Sequence, residues 1–100
     1  MIELGGNIKL TGFKELDPGS LMVIKKIVGN YGKKFEGLCE KFEDLSVTLK
    51  EVHKTEASEK FELNAKLNDN GKTYASSVVD RNLYFAFDSA MKKLENSISK

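Results

Sequence analysis

The residues of this sequence that could do chemistry are lysines on two amphipathic segments. Lys26 and Lys33 are seven residues apart, so in a helix they share one face, and Lys25 and Lys34 flank that face. The face lies opposite an apolar stripe on the same segment, and no acidic residue interrupts positions 20 to 35. Ammonium groups arranged in this way can neutralise phosphates, which is the chemistry of nucleic-acid binding.

A second set of lysines lies near the end of the chain, at Lys92, Lys93 and Lys100. If both segments are helices and lie side by side on a sheet, the two sets could form one basic surface. The alternative is a plain solvated face on each helix, because lysine-rich helix faces are common in soluble proteins. The residue pattern by itself leaves both interpretations open.

Signals of catalysis are weak. Glu40, Glu43 and Asp44 are close in sequence, but a solvated acidic loop explains them without a reaction. Gly5-Gly6 lacks the following Gly, Lys and helix start of a phosphate-binding loop. We therefore predict no enzymatic activity, no cofactor and no small-molecule substrate.

Composition predicts one domain over residues 1–100, since this length supports a single core. The 16 basic and 15 acidic residues give a net charge of +1, so a basic site must arise from segregation of charge. Cys39 is the single cysteine and is predicted to be a buried or incidental thiol. It has no zinc-ligand spacing with His53, the single histidine, so no metal site is predicted.

The apolar runs are too short to span a bilayer, and the N-terminus lacks the apolar core of a signal peptide. We therefore expect a cytoplasmic protein without a membrane partner. The sequence does not give its oligomeric state.

The first elements that must position the lysines are a strand and a helix. Residues 2–10 are predicted as the first strand, with Gly5-Gly6 as a bulge or a twist. After a loop at 11–17, Asp17 caps and Pro18 opens a helix whose apolar stripe continues at three-and-four spacing. Four finer expectations concern single residues: close approach to the sheet at Gly29 and Gly32, and inward-facing side chains at Leu38 and Phe42.

Three alternating segments follow the acidic connection at 36–44, which could extend the helix by a turn. They are residues 45–52, 59–67 and 72–79, and Asp69-Asn70-Gly71 between the last two predicts a hairpin turn. The third segment has two possible inward faces. One consists of Tyr74, Ser76 and Val78, and the other of Ala75 and Val79.

A second helix is predicted from a cap at Asp80 or Asn82 to the end of the chain, with an apolar stripe running from Leu83 to Ile98. Phe85 lies opposite that stripe. We favour the interpretation that a tilted helix start or a loop covers it. The alternative is an exposed ring that contacts a base or a protein partner. Together the elements predict an α+β fold in the order β-α-β-β-β-α, with a four-stranded mixed sheet and both helices packed on one face.

Several stretches of this sequence resemble the ribosome hibernation-promoting factor family, also called the ribosome-associated inhibitor or sigma-54 modulation family. Residues 82–88 (Asn-Leu-Tyr-Phe-Ala-Phe-Asp) and the following Lys93-Leu94 are similar to the family's second helix. Residues 2–10 look like its opening strand, and residues 45–50 and 72–79 like its second and fourth strands. The resemblance covers essentially the whole chain and implies a fold related to double-stranded RNA-binding domains.

The resemblance also implies a ribosome-associated stress-response factor that binds small-subunit ribosomal RNA near the decoding site. There it would occupy space that tRNA and messenger RNA need, and so inhibit translation by idle ribosomes. Lysines on the two helices are the family's usual RNA contacts, and the matching residues here are Lys25, Lys26, Lys33, Lys34, Lys93 and Lys100. We add Lys92 from the residue pattern, although the family often has an acidic residue there.

Two departures and two alternatives accompany this interpretation. Asn96 stands where the family is often basic, and the acidic stretch 37–44 looks like an insertion. One alternative is a generic double-stranded RNA-binding module, which is disfavoured because Arg81 alone opens the second helix. The other is a protein-interaction or self-association module that uses the open sheet face or Phe85.

Overall fold

The computed structural model describes residues 2–4, 7–14, 16–52 and 60–99. A five-stranded mixed sheet carries two helices on one of its faces, so the predicted α+β class and layer arrangement are confirmed. The elements in chain order are β1 (Ile2–Leu4), β2 (Ile8–Thr11), α1 (Pro18–Leu38), β3 (Phe42–Val52), β4 (Lys60–Asp69), β5 (Lys72–Asp80) and α2 (Leu83–Ile98).

The start of the chain corrects the prediction of one strand over residues 2–10. β1 pairs antiparallel with β2, with Ile2 opposite Leu10 and Leu4 opposite Ile8, so the chain reverses direction between them. The sheet therefore has five strands and not four. The predicted bulge or twist fell on Gly5 and Gly6, which lie outside the described residues.

The strands follow one another across the sheet in the order β1-β2-β3-β4-β5. Three of the four pairings are antiparallel, while β2 and β3 run parallel because α1 carries the chain across between them. β3 begins at Phe42, three residues before the predicted start, with a register irregularity between Phe42 and Asp44. The predicted hairpin turn is confirmed: Asn70 and Gly71 both have positive φ, at 48° and 84°.

Both helices begin where the sequence predicts, each at a side-chain cap. The Asp17 carboxylate accepts hydrogen bonds from the Ser20 amide at 3.1 Å and the Ser20 hydroxyl at 2.7 Å. These bonds hold the pKa of Asp17 below its usual value. At α2 the cap is Asn82 and not Asp80, since its Oδ1 accepts from the amides of Tyr84 and Phe85 at 2.9 and 3.1 Å.

The core lies between the sheet and the two helices. β3 contributes Leu45, Val47 and Leu49, and the facing stripe of α2 buries Phe87 and Leu94 completely. β5 turns Tyr74, Ser76 and Val78 inward and leaves Ala75 and Val79 exposed, which decides between the two predicted faces. Phe13, from the loop before α1, meets the edge of the Phe87 ring at a centroid distance of 6.0 Å. Such an aromatic pair contributes about 1 kcal/mol beyond the area it buries.

Two of the finer expectations hold and two fail. A Cβ on Gly32 would lie 2.9 Å from Cδ1 of Ile8, so this glycine does permit α1 to approach the sheet closely. A Cβ on Gly29 would meet no atom within 4 Å, because this position faces solvent. Phe42 packs against the core, but Leu38 is 43% exposed.

Alanine substitutions at two glycines, Gly12 and Gly29, should have opposite effects on the stability of the fold. Gly12 has a φ of 86° and an added Cβ would overlap the Leu49 carbonyl oxygen, so Gly12→Ala should lower the free energy of unfolding by more than about 1 kcal/mol. Gly29→Ala adds a methyl in open space on a helix and should raise the same free energy by up to about 1 kcal/mol. Urea unfolding of both variants measures the difference, and equal stabilities would contradict it.

Candidate nucleic-acid interface

The two helices lie side by side on the sheet, joined by two hydrogen bonds between their side chains. Near their N-terminal ends, the Tyr84 hydroxyl donates to Oγ of Ser20 at 3.1 Å. Further along, the Tyr31 hydroxyl donates to Oδ1 of Asp88 at 2.8 Å. Ser20 precedes Tyr31 on α1, and their partners Tyr84 and Asp88 follow in the same order on α2. The two helices therefore run in the same general direction.

Lysines from both helices meet at the second of these bonds. The ammonium group of Lys34 lies 5.1 Å from the centroid of the Tyr31 ring, which is cation–π distance. On the other helix, Nζ of Lys92 lies 3.4 Å from Oδ2 of Asp88. Lys34, Tyr31, Asp88 and Lys92 therefore form one continuous series of contacts across the junction, which we call the interhelical bridge.

A cleft of about 530 Å³ opens beside the interhelical bridge. It is open to solvent, and its lining combines one cation, one anion, a neutral amide, an isoleucine and a tyrosine. Its lining consists of Ile27, Asn30, Tyr31, Lys34 and Asp88.

Tyr31 stays protonated at all ordinary pH values. Burial is the main reason, and the hydrogen bond to Asp88 together with the negative charges of Asp88 and Glu95 adds to it; all raise the pKa of Tyr31 well above its ordinary value of 10.0. The phenol is thus a fixed donor to Asp88. The other carboxylate oxygen of Asp88 pairs with the ammonium group of Lys92 beside the junction.

The lysines predicted on the first helix are all exposed, but they point in three directions. Lys26 and Lys33 lie on the solvent side of α1, opposite the buried stripe, as their spacing predicts. Lys34 faces α2 as part of the interhelical bridge. Lys25 lies on the opposite flank, toward the β1–β2 side, since it follows Ile24 by one position and precedes Gly32 by seven.

The lysines predicted on the second helix do not act as one group. Lys92 extends the solvent face of α1 across the junction, with 65% of its side chain exposed. Lys93 points the other way, because its Nζ donates to the Ser77 carbonyl oxygen on β5 at 3.3 Å. Lys100 lies outside the described residues. The surface formed by Lys26, Lys33, Lys34 and Lys92 is called the lysine surface below.

Acidic residues gather at the end of the molecule where α1 meets the β4–β5 hairpin turn. Buried Asp69 accepts from the backbone amides of Glu40 and Lys41 at 3.3 and 2.8 Å. Glu43 accepts from the Gly71 amide at 2.8 Å, so it fixes the turn. The acidic connection, which resembles an insertion in the sequence, is thus tied to the hairpin turn beyond the C-terminal end of α1.

Cys39 lies beside this acidic end and is buried, as predicted. Burial, with the neighbouring Asp69 carboxylate, raises the pKa of Cys39 to about 11. The thiol is therefore protonated and unreactive at neutral pH. Within residues 2–4, 7–14, 16–52 and 60–99, no group of three or more His, Cys, Asp and Glu side chains is placed to hold a metal ion.

Phe85 corrects the interpretation favoured by the sequence pattern. Its side chain is 66% exposed, and neither a tilt of the helix nor a loop of the described chain covers it. The core side of this part of α2 is filled by Leu83, Ala86 and Phe87, and Phe85 therefore lies on the opposite, solvent side.

Sequence reasoning missed the hydrogen bond between Tyr31 and Asp88. In the sequence Tyr31 falls within the three-and-four apolar repeat of the first helix, and Asp88 lies four residues before Lys92, where the two can pair at the surface. The signal that could have found the bond is the hydroxyl itself, because a buried tyrosine usually finds a hydrogen-bond partner. Which residue would accept that bond depends on how the helices pack, since the two positions are 57 residues apart.

Comparison with known proteins gives one family and several similar structures. The model of a family described as sigma 54 modulation protein / S30EA ribosomal protein matches residues 24–100. The N-terminal domain of Protein Y from Thermus thermophilus has a TM-score of 0.59 at 14% identity, with 92% of each chain covered. A ribosomal subunit interface protein from Coxiella burnetii has a TM-score of 0.60 at 15% identity, covering 93% of this chain and 91% of that one.

At these identities the solved structures show a shared fold. No curated protein sequence matches the chain at a significant level. Neither helix, in the part of the chain that the structure describes, has the length and apolar character needed to span a membrane.

The interhelical bridge predicts a pH-dependent effect of Tyr31→Phe. Loss of the hydrogen bond should lower the free energy of unfolding by about 1 kcal/mol at neutral pH. In the parent protein the unfolded tyrosine releases its proton near pH 10 while the folded one keeps it, so folding becomes less favourable as pH rises above 10. The stability gap between parent and variant should therefore narrow from pH 9 to pH 11 in thermal unfolding. A constant gap would contradict the raised pKa.

Proposed function

Because the chain belongs to the sigma 54 modulation protein / S30EA ribosomal protein family, we propose that it is a cytoplasmic ribosome-associated factor. It binds small-subunit ribosomal RNA near the decoding site and inhibits translation by idle ribosomes. The family membership rests on a match to most of the chain, from the second turn of α1 to the C-terminal end of α2. The name of the similar Coxiella burnetii protein, a ribosomal subunit interface protein, is consistent with this location.

The observation that carries the proposal is the interhelical bridge, because it joins the lysines of two helices into one surface. Without it, Lys26 and Lys33 would form a stripe on one helix and Lys92 would belong to another. With it, the four residues of the lysine surface lie on the same side of the molecule, away from the sheet. A phosphate backbone that passes over both helices can meet all of them.

The distribution of charge supports the same orientation. α1 carries four lysines and one acidic residue, Glu36. The segment after α1 and the ends of the hairpin strands carry more acidic than basic residues, with Glu40, Glu43, Asp44 and Asp69 against Lys41 and Lys72. A polyanion is therefore attracted to the lysine surface and repelled from the acidic end. The net charge of the whole chain is only +1, so the same charges evenly mixed would not attract a polyanion to one side of the molecule.

The residue types support recognition of shape and phosphate position more than of base sequence. Lysine is a point charge on a flexible chain, and it lacks the planar fork with which arginine reads a guanine edge. Phosphate contacts of this kind fix the position of the protein on a folded RNA. The proposed mechanism is steric: the bound domain occupies space that tRNA and messenger RNA need, and no chemical step is involved.

Reversal of two charges on the lysine surface should weaken ribosome binding. Lys26→Glu with Lys33→Glu should lower the affinity by about tenfold or more in co-sedimentation at physiological salt. The slope of log affinity against log salt should fall by about 1 for each lysine–phosphate pair that the substitutions remove. Neither residue is buried, so the thermal stability should stay close to that of the parent.

A matched control lies on the opposite face of the sheet. Lys50 and Lys66 are exposed there, and Lys50→Glu with Lys66→Glu changes the net charge by the same amount. This control should bind ribosomes nearly as the parent does. Equal reductions in both double variants would show non-specific attraction, and full binding by both would reject the lysine surface as the contact. Tighter binding to naked RNA duplex than to ribosomes would favour a generic duplex-binding module instead.

A further inference from the structure

The solvent faces of the two helices carry the same order of residue types. On α1, Met22 is followed four residues later by Lys26 and then by Lys33, all on one face. On α2, Phe85 is followed seven residues later by Lys92, again on one face. In both helices an apolar side chain comes first and lysine comes after it.

The packing of the helices brings the two apolar positions to the same end. The hydrogen bond between Tyr84 and Ser20 holds the first turns of the two helices together. Phe85 and Met22 lie in those turns or in the one that follows, and the interhelical bridge holds Lys34 and Lys92 further along. The surface is therefore apolar at one end and cationic along the rest.

The apolar end is exposed to an unusual degree. Phe85 is 66% exposed and Met22 63% exposed, while the neighbouring Val23 and Tyr84 are 42% and 37% exposed. Single exposed apolar residues are normal on a protein surface, but these four lie in the first two turns of two adjacent helices, and apolar groups concentrated in this way mark contact sites. Phe85 adds little to the stability of the fold, because most of its ring touches only water.

We propose that Phe85 is a stacking platform for an unpaired RNA base, next to the lysine surface that holds the phosphates of the same strand. Single-stranded nucleic acid has both chemistries that this surface offers, a flat π-face on each base and a charge on each phosphate. The seven residues from Phe85 to Lys92 span about 10 Å along the helix axis, so one short segment of RNA can contact both. The inference rests on the proposed function, since it takes ribosomal RNA as the ligand.

Charge favours a base over a protein surface as the occupant of the patch. Lys25 and Lys26 follow Met22 within about one turn of α1, and Arg81 directly precedes α2. The carboxylates at this end are engaged by the chain itself, since Asp17 accepts from Ser20 and Asp80 accepts from the Asn82 amide. A segment bound at this end must therefore tolerate a cationic border. An RNA strand does so through its phosphates, and Met22 and Val23 can pack against the edge of a stacked base.

The absence of tryptophan from the chain allows a direct optical test. Phe85→Trp preserves an aromatic face at this position and introduces a single fluorophore. Its emission should be quenched by single-stranded oligouridylate at low salt, because a stacked base quenches indole fluorescence. An abasic oligomer of the same length and charge, and an RNA duplex of that length, should leave the emission nearly unchanged. Quenching by the abasic oligomer to the same extent, or none by oligouridylate, would overturn the proposal.

Ribosome co-sedimentation with further variants connects the platform to the proposed function. Phe85→Ala and Phe85→Leu should each bind ribosomes about tenfold more weakly than the parent, whereas Phe85→Trp should bind about as well. The salt slope should not change in any of them, since every lysine that meets a phosphate remains in place. Full binding by Phe85→Leu would indicate an apolar contact with a ribosomal protein and would overturn the stacking proposal.

The two proposals can fail separately. If the parent does not bind ribosomes but oligouridylate still quenches Phe85→Trp, the ribosomal function is wrong and the base platform stands. If the parent binds ribosomes through the lysine surface and the variants of Phe85 all bind equally, the platform is wrong and the ribosomal function stands. The midpoint of thermal unfolding of each variant should stay close to that of the parent, as expected for an exposed site.

Discussion

The sheet has one apolar face, and most of the structure follows from that constraint. On β3 and β4 the residues Leu45, Val47, Leu63 and Leu67 all point to the same side, and the other side carries Ser46, Thr48, Asn64 and Lys66. Both helices must cover the first side, because neither could bury its own stripe elsewhere. They are thereby forced next to each other, and their solvent faces become a single surface. The lysine surface is a consequence of how the hydrophobic core is closed.

Polar contacts between the helices then decide the details of that surface. Burial of the Tyr31 ring requires a partner for its hydroxyl, and Asp88 supplies it. Asp88 also holds Lys92, and the ring of Tyr31 attracts Lys34, so each lysine at the junction has a partner that offsets its positive charge. One partly buried carboxylate thus allows a basic surface to continue across a helix junction.

The sequence was sufficient wherever a short segment determines its own conformation. Asp17-Pro18, Asn82 and Asn70-Gly71 each mark a boundary through local hydrogen bonds or local backbone preferences, and each lies at the predicted position or at one of the predicted options. The hairpin of β1 and β2 was missed because Ile2, Leu4, Ile8 and Leu10 have the same parity. One strand or two paired strands give the same alternation, so only the pairing partners distinguish them. The pattern of one helix does not show which neighbouring element lies on each side of it. It therefore could not tell that Lys93 turns to β5 while Lys92 turns to the helix junction, or that no element of the described chain covers Phe85.

The single parallel pairing in the described sheet has a consequence for the order in which the chain can fold. β3, β4 and β5 form a meander whose contacts are close in sequence, and β1 with β2 forms a hairpin of its own. The two parts meet only when β2 pairs with β3, as in the contact of Leu10 with Val47. That step closes a loop on the order of 40 residues that contains α1, and its entropic cost precedes any gain from the core. Closure of this crossover is therefore expected to be the slow step of folding. The same step joins the two parts of the sheet and brings α1 beside α2, so the surface formed by the two helices is completed with it.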